Sequence, residues 1–275
     1  MTIALYRKFR QTLKVIPVTG RMMPYDWARP PKKMGIYWMF YIPMLDDFSR
    51  EIANTINGYT TNVHRLRAWS KVMETLTERQ KHYATLEFID AIATNTVNLP
   101  YVIRNRIAFS ATHLCHKANI LKHRENWKDD LPSDDKINRT SELETFNKYG
   151  KSWKAYDPLR EALFAVNSKE FQGSTENFRN TYHHRFSTRL IVGNMYHVAR
   201  SVDQHTGKSF QALRSLPPLN LAAITDALES EQEHLYAAFK AFQELIHEQL
   251  TAIADADSAP SPIGWQRQLP PSSIR

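Results

Sequence analysis

The sequence predicts an all-α protein, a bundle of four to five long helices with a small extended β-hairpin inserted before the last helix. Glycine is scarce, with 8 of 275 residues, and glycine supplies the tight turns of β-rich folds and the close approaches of phosphate-binding loops. Apolar residues also recur three or four positions apart over long stretches, which is the period of an amphipathic helix. Hydrophobic residues make up 42% of the chain and charged residues 23%, which is the composition of a globular protein.

The first 44 residues are predicted to form an irregular segment that packs on the bundle. Prolines at positions 17, 24, 30 and 31 interrupt any long helix there. The most apolar run, Met34 to Leu45, is too short to span a bilayer, and two acidic residues follow it directly. The run is therefore predicted to be a buried segment that covers the bundle. The N-terminus lacks the pattern of a signal peptide.

A helical domain is predicted over residues 45–254. Its first half contains amphipathic patterns over 45–78 and 80–98 and a third that ends near Lys122, with Pro100 as a break or kink between the last two. The charged stretch from Arg124 to Tyr156 then reads as a connecting loop with a short helix at Glu142–Tyr149.

The second half of this domain alternates short elements with turns. Asp157-Pro158 opens a helix, Gly173 breaks the chain, and Ser174 or Thr175 is expected to cap a helix over 176–187. Extended segments are predicted at 190–192, 196–198 and 210–213, with turns at 193–194 and 206–207. A last helix covers Leu219 to about Ala254, and the proline-rich tail over 255–275 is expected to be flexible.

Charge and cysteine content limit the possible functions. The net charge is +8, which favours a polyanionic partner. Cys115 is the only cysteine, so the chain has no intrachain disulfide and no zinc site built on paired cysteines. Few cysteines and no membrane span predict a cytoplasmic protein.

Common catalytic motifs are missing. Gly207-Lys208-Ser209 resembles the end of a phosphate-binding loop, but Val202 stands where that loop needs a glycine. His113, Cys115 and His116 are interpreted as partly buried polar residues of a helix. Carboxylates near two histidines of the last helix are interpreted as a solvated face: Glu229, Glu231, Glu233 and Glu244, with His234 and His247. No metal and no cofactor is predicted.

One segment, from Phe178 to Phe186, is unusually dense in residues that bind phosphate or move protons. Arg179 can form paired hydrogen bonds to phosphate oxygens, and His183 and His184 are of the residue type that titrates near neutrality. Asn180 shares a helix face with His184, and Arg179 shares one with His183, so spacing alone does not identify the acting histidine. Around them, Tyr182 offers a ring for base stacking, and Arg185 and Arg189 extend the positive charge.

The motif Arg179-Asn180-Thr-Tyr-His-His184 resembles the arginine–polar–histidine motif of the HEPN superfamily. The following Arg185-Phe186 resembles an extension found in one branch of that superfamily. Members are helical bundles in which this motif opens a late helix after a loop. The motif has the same placement here, because one long predicted helix follows it. A weaker match, Arg106 with His113, has the apolar Ile107 where the family has a polar residue.

The resemblance implies a metal-independent endoribonuclease in which the 2′-hydroxyl of RNA attacks the adjacent phosphodiester. The products are a 2′,3′-cyclic phosphate and a 5′-hydroxyl. It implies His184, or else His183, as general base or acid, Arg179 as the group that stabilises phosphate charge, and Asn180 as a positioning residue. It also implies a homodimer with a composite site, and a role as a toxin or phage-defence effector with an antitoxin or defence-system partner.

Two alternatives remain open at this point. The motif can bind nucleotides or RNA, or support dimerisation, without cleavage, as some members of the superfamily do. The chain can also be a helical adaptor without nucleic-acid function, in which Arg179 and His184 form an ordinary polar face that pairs with the acidic loop at Asp129–Asp135.

Overall fold

The computed structural model describes residues 1–31, 35, 38–123, 128–133, 142–186 and 188–258, and for Leu121 and His197 only the backbone. The chain is mostly helical, as the sequence predicts, and is compatible with an all-α bundle. The helices and strands are α1 (Thr2–Val15), α2 (Trp38–Met73), α3 (Glu78–Ala84), a π-helical turn (Thr85–Ile89), α4 (Asp90–His123), α5 (Glu142–Gly150), α6 (Tyr156–Ala165), α7 (Lys169–Ser174), α8 (Phe178–His184), β1 (Met195–Val202), β2 (Ser209–Leu216) and α9 (Leu221–Ser258).

The core lies between α2, α4 and α9, which pack pairwise against one another. Each of these helices turns an apolar face inward, and the largest side chains of the core are buried completely or almost completely. A chain of polar contacts crosses this core: Tyr41 Oη of α2 donates to Gln249 Oε1 of α9 over 2.6 Å, and Gln249 Nε2 donates to Cys115 Sγ of α4 over 3.1 Å. The three long helices therefore share one interior.

The N-terminal segment is more regular than the sequence predicts. Residues 2–15 form α1, because the interrupting prolines begin only at position 17 and leave a free stretch before it. Phe9 of α1 stacks on Trp69 of α2 with ring centroids 4.6 Å apart. The prediction of an irregular segment over residues 1–44 was wrong for α1 and also for residues 38–44, which already belong to α2. The α1 helix packs against the bundle.

Of the predicted break or kink at Pro100, the break was wrong. One helix, α4, runs through Pro100, and the chain changes its winding earlier, at the π-helical turn of residues 85–89. Buried residues lie on both sides of the proline, among them Val97 and Ile103. Packing of both halves against neighbouring helices keeps the helix continuous, at the cost of one backbone hydrogen bond that proline cannot donate.

The buried carboxylate of Glu231 corrects one interpretation of α9. The predicted solvated face holds for Glu233 and Glu244, but Glu231 is 2% exposed. Its Oε1 accepts from the backbone N–H of Asn167 over 2.6 Å, and its Oε2 lies 3.2 Å from His234 Nδ1. Burial raises the pKa of Glu231. This carboxylate fixes the junction between α6 and α7, where Asn167 has a positive φ of 55°.

The insertion before the last helix is an antiparallel hairpin, as predicted, with longer strands than the sequence indicates. Met195 pairs with Leu216 at its base and Val202 pairs with Ser209 at its tip. The turn is closed by Asp203, whose Oδ1 accepts from the backbone N–H groups of His205 and Thr206. The predicted extended segment at 190–192 contains only an isolated bridge between Leu190 and Leu219.

The last helix, α9, ends near Asp257, which contacts the beginning of α2 and the residue Gly35 before it. The Asp257 carboxylate accepts from the Gly35 N–H over 2.9 Å and from Trp38 Nε1 over 3.1 Å. The predicted flexible tail over 255–275 begins inside this helix, and its residues 259–275 lie outside the described residues. Among the described residues, no helix combines the length and apolar character needed to cross a bilayer.

Candidate functional site

The short helix α8 carries the motif and lies against α4. It starts later than predicted: Glu176 and Asn177 adopt positive φ angles of 49° and 52°, and Asn177 occupies the N-cap position without a side-chain bond. Ser174 or Thr175 was predicted as the cap, but Ser174 ends α7 and the Thr175 hydroxyl donates back to the Phe171 carbonyl of that helix. Buried Phe178, 2% exposed, anchors the start of α8 in the core.

A groove with a volume of about 730 Å³ opens between α2, α4 and α8. The stretch of α4 that faces it contributes residues three or four positions apart, so one helix face lines the floor. Phe48 and Ile52 of α2 form an apolar part of the wall, and Glu142 of α5 closes one side. The α4 residues are Asn98, Tyr101, Val102, Asn105, Arg106, Phe109 and Ser110.

Three of the residues predicted from the motif meet in this groove: Arg179, His183 and His184. Arg179 and His183 are four positions apart on one face of α8, and His184 follows at the end of the helix. The rings of His183 and His184 have centroids 6.4 Å apart. Helix α8 therefore presents one guanidinium and two imidazoles to the same space.

The guanidinium of Arg179 is held against the ring of Tyr101. Its central carbon lies 3.6 Å from the centroid of the Tyr101 ring, which is a close cation–π contact. Its Nε is buried and has no hydrogen-bond partner among the described residues. A buried N–H without a partner is costly, so this group is well suited to an anionic ligand that enters the groove.

Two further arginines lie near this stack. Arg104 has its central carbon 5.2 Å from the Tyr101 ring, and its pKa is lowered mainly by burial, with the nearby charge of Arg179 acting in the same direction. Arg106 lines the groove, and its Nη1 donates to Thr55 Oγ1 over 2.7 Å. The carboxylates of Glu51 and Glu142 also line the groove, so it combines both signs of charge.

The remaining predicted site residues lie outside this groove. Asn180, Tyr182, Arg185 and Arg189 are exposed and do not line it. The ring of Tyr182 stacks on Phe178 with centroids 5.5 Å apart. Of the two face-sharing pairs that the sequence allows, the structure brings Arg179 and His183 into the groove together, but it does not bring in Asn180 with His184.

Sequence reasoning missed Tyr101, Asn98 and Asn105 on the floor of the groove. A signal was present, because the polar and aromatic residues at positions 98, 101 and 105 recur three or four positions apart and so share one face of the helix. Of the weaker motif match, only Arg106 lines the groove. His113 does not line it, and its ring packs against Phe109 with centroids 4.3 Å apart.

The other candidate clusters have structural partners. Cys115 is fully buried, and burial raises the pKa of its thiol. His116 Nε2 lies 3.0 Å from Asp129 Oδ1, and burial lowers the pKa of this histidine. Within the described ranges, no group of three or more histidine, cysteine or acidic side chains is arranged to hold a metal ion.

The acidic loop does not pair with α8 where the structure describes it. Asp129 contacts His116, and Asp130 accepts from Lys148 Nζ over 2.7 Å and from Tyr149 Oη over 2.8 Å. Asp134 and Asp135 lie outside the described residues. For Asp129 and Asp130, the partners are on α4 and α5 rather than on the motif helix.

Comparison of this chain with protein-family models, with curated proteins and with solved structures finds no match.

Proposed function

We propose that this chain is a HEPN-like, metal-independent endoribonuclease whose active site is the groove between α2, α4 and α8. The observation that supports this proposal is the convergence of Arg179, His183 and His184 on one groove, with the Nε of Arg179 buried and lacking a described hydrogen-bond partner. A phosphodiester supplies the anionic oxygens that such an N–H requires.

The proposed reaction uses the substrate's own nucleophile. The 2′-oxygen attacks the adjacent phosphorus, the bond from phosphorus to the 5′-oxygen breaks, and the products are a 2′,3′-cyclic phosphate and a 5′-hydroxyl. His184 or His183 accepts the proton of the 2′-hydroxyl, and the other histidine donates a proton to the departing 5′-oxygen, a type of catalysis typically worth about 10²- to 10⁴-fold in rate.

Arg179 carries the electrostatic part of the mechanism. A guanidinium held over Tyr101 is positioned before the substrate arrives, so it stabilises the negative charge that develops on the phosphoryl oxygens without reorganising. Arg106 supplies a second cation from α4. Phe48 and Phe109 give the groove an apolar, aromatic part against which a base can rest.

The deciding experiment is cleavage of total RNA in the presence of a chelator. Arg179→Ala, His183→Ala and His184→Ala are each expected to lower the rate by about 100-fold or more, and wild-type products should end in a 2′,3′-cyclic phosphate. Arg10→Ala and His82→Ala change exposed residues of α1 and α3 and are the matched controls. Equal cleavage by wild type and all three groove variants would refute the assignment.

The proposal extends to a homodimer with a composite site and to a role as a toxin or defence effector that a partner protein restrains. Mixing Arg179→Ala with His184→Ala protein tests the shared site. Cleavage should return if each groove takes residues from both copies, whereas two inactive proteins stay inactive together if each groove works alone.

A second candidate function is RNA or nucleotide binding without cleavage. The position of Asn180 outside the groove favours it, because the resemblance assigns that residue to positioning in catalysis. Tight binding of RNA that depends on Arg179 and releases no products would support this candidate over the nuclease.

A further inference from the structure

We propose that the β1–β2 hairpin is a single-stranded RNA-binding arm that holds the substrate strand beside the groove. This inference rests on the proposed function for the identity of its ligand. The hairpin projects from the bundle: the extensive contacts of β1 and β2 are with each other, and neither strand packs comparably against a helix. An isolated two-stranded hairpin is marginally stable in water, so a bound partner would stabilise it.

The charge of this region favours a polyanion as that partner. Residues 178–220 contain six arginines and lysines and one acidic residue, so this part of the chain holds +5 of the net charge of +8. The one acid, Asp203, is engaged in the hairpin turn, where backbone N–H groups and the Thr206 hydroxyl bond to it and lower its pKa. Within the hairpin, Arg200, Lys208 and Arg214 are exposed.

The apolar residues of the hairpin fit the same ligand. Tyr196 and Phe210 are 65% and 51% exposed, and the strand register turns them to opposite faces. Exposed aromatic rings bind the bases of single strands by stacking, without sequence preference. Val198 and Leu213 form a cross-strand pair, 64% and 74% exposed, that continues the face of Tyr196.

The arm is rooted next to the groove. Buried Leu190 and Leu219 form the bridge at its base, and the Leu219 N–H donates to the Arg189 carbonyl over 2.9 Å. Leu190 follows His184 by six residues, so the base of the arm lies within about 20 Å of the end of α8. Arg185 and Arg189, which do not line the groove, lie on the segment between the two and provide a basic path along it.

The test measures binding separately from cleavage. The ligand is a fluorescent single strand of about 20 nucleotides, longer than the ~4–16 that one binding domain usually covers. It carries 2′-O-methyl groups and therefore cannot supply the attacking hydroxyl. A triple variant, Arg200→Gln with Lys208→Gln and Arg214→Gln, should lower the affinity roughly 10- to 100-fold at about 0.1 M salt and reduce the slope of log affinity against log salt by about 2.

The control variant removes equal charge far from the groove. Lys8→Gln, Arg10→Gln and Lys14→Gln lie on α1, which packs on α2 near Trp69, about 25 Å along that helix from Ile52. This control should bind like wild type. Tyr196→Ala and Phe210→Ala should each weaken binding about tenfold with an unchanged salt slope, because stacking releases no counterions.

The possible results distinguish failure of the RNA-binding hairpin from failure of the proposed nuclease. If the hairpin triple variant binds RNA with wild-type affinity and salt slope, or changes only the oligomeric state measured by light scattering, the hairpin is not an RNA arm. A wild-type protein that binds no RNA also overturns the inference. A protein that cleaves nothing but loses RNA affinity in the triple variant refutes the nuclease and leaves the arm standing.

Discussion

At the scale of single residues, the most informative contact is the stack of Arg179 on Tyr101. The guanidinium is half-buried, 3.6 Å from the ring centroid, and it faces a groove that also receives two histidines. Without the ring, a long arginine side chain samples several rotamers and must be ordered when substrate binds. The aromatic face of Tyr101 therefore acts through Arg179, as a positioning residue.

Substitution of Tyr101 tests this role. Tyr101→Leu should reduce RNA cleavage about tenfold, because it removes a cation–π contact worth about 1–2 kcal/mol and frees the guanidinium. Tyr101→Phe keeps an aromatic face and should retain most of the activity. Comparison of kcat with KM for the two variants, with circular dichroism to verify folding, is the measurement. If leucine and phenylalanine have equal effects, the ring is not what positions Arg179.

At the scale of elements, close packing rather than propensity decides where glycine is required. Gly150 ends α5 at a site where an added Cβ would lie 2.6 Å from Tyr156 Cδ2 and 2.9 Å from Phe146 Cε2. Gly58 lies on the exposed face of α2, and a Cβ there would have no neighbour within 4 Å. Close packing therefore requires glycine at position 150, whereas no neighbouring atom requires it at position 58.

These two glycines provide a matched pair of substitutions. Gly58→Ala should stabilise the protein by about 0.5–1 kcal/mol, because alanine loses less backbone entropy in a helix and meets no obstacle. Gly150→Ala should destabilise it by about 1–3 kcal/mol, because two aromatic rings must move. Urea unfolding at one pH measures both free energies. Stabilisation by both substitutions would mean that the α5–α6 packing is loose.

At the scale of the whole molecule, the three long helices meet around the Tyr41–Gln249–Cys115 contacts. Cys115 is 0% exposed, and burial raises the pKa of its thiol, so the reactive thiolate is disfavoured in the folded state. A reagent can reach this sulfur only when α2, α4 and α9 separate.

Alkylation of Cys115 should therefore report global unfolding. We expect the native protein to resist a thiol reagent and the urea-unfolded protein to react as a free cysteine does, with the rate following the unfolded fraction. The single cysteine makes the readout unambiguous. Fast alkylation in native buffer, while circular dichroism shows intact helices, would mean that this core opens locally.

Local features of the sequence are sufficient to predict the helices and part of the candidate site. The spacing of apolar residues indicates the long helices, and turn residues indicate the hairpin. The unusually dense cluster of charged and titratable residues at positions 178–186 also pointed to Arg179, His183 and His184. The prediction of a helix break at Pro100 and of a solvated Glu231 was wrong, because contacts from distant parts of the chain outweigh local preference there.

The sequence by itself determined the mostly helical class, the hairpin before the last helix and the concentration of positive charge around the motif. Only the tertiary structure decided that α4 forms the floor of the groove, that Tyr101 holds Arg179, and that Asn180 stays outside. The physical reason is the range of the interactions. Periodicity and charge density depend on neighbours within a few residues, whereas Tyr101 and Arg179 lie 78 positions apart and meet only because α8 packs on α4.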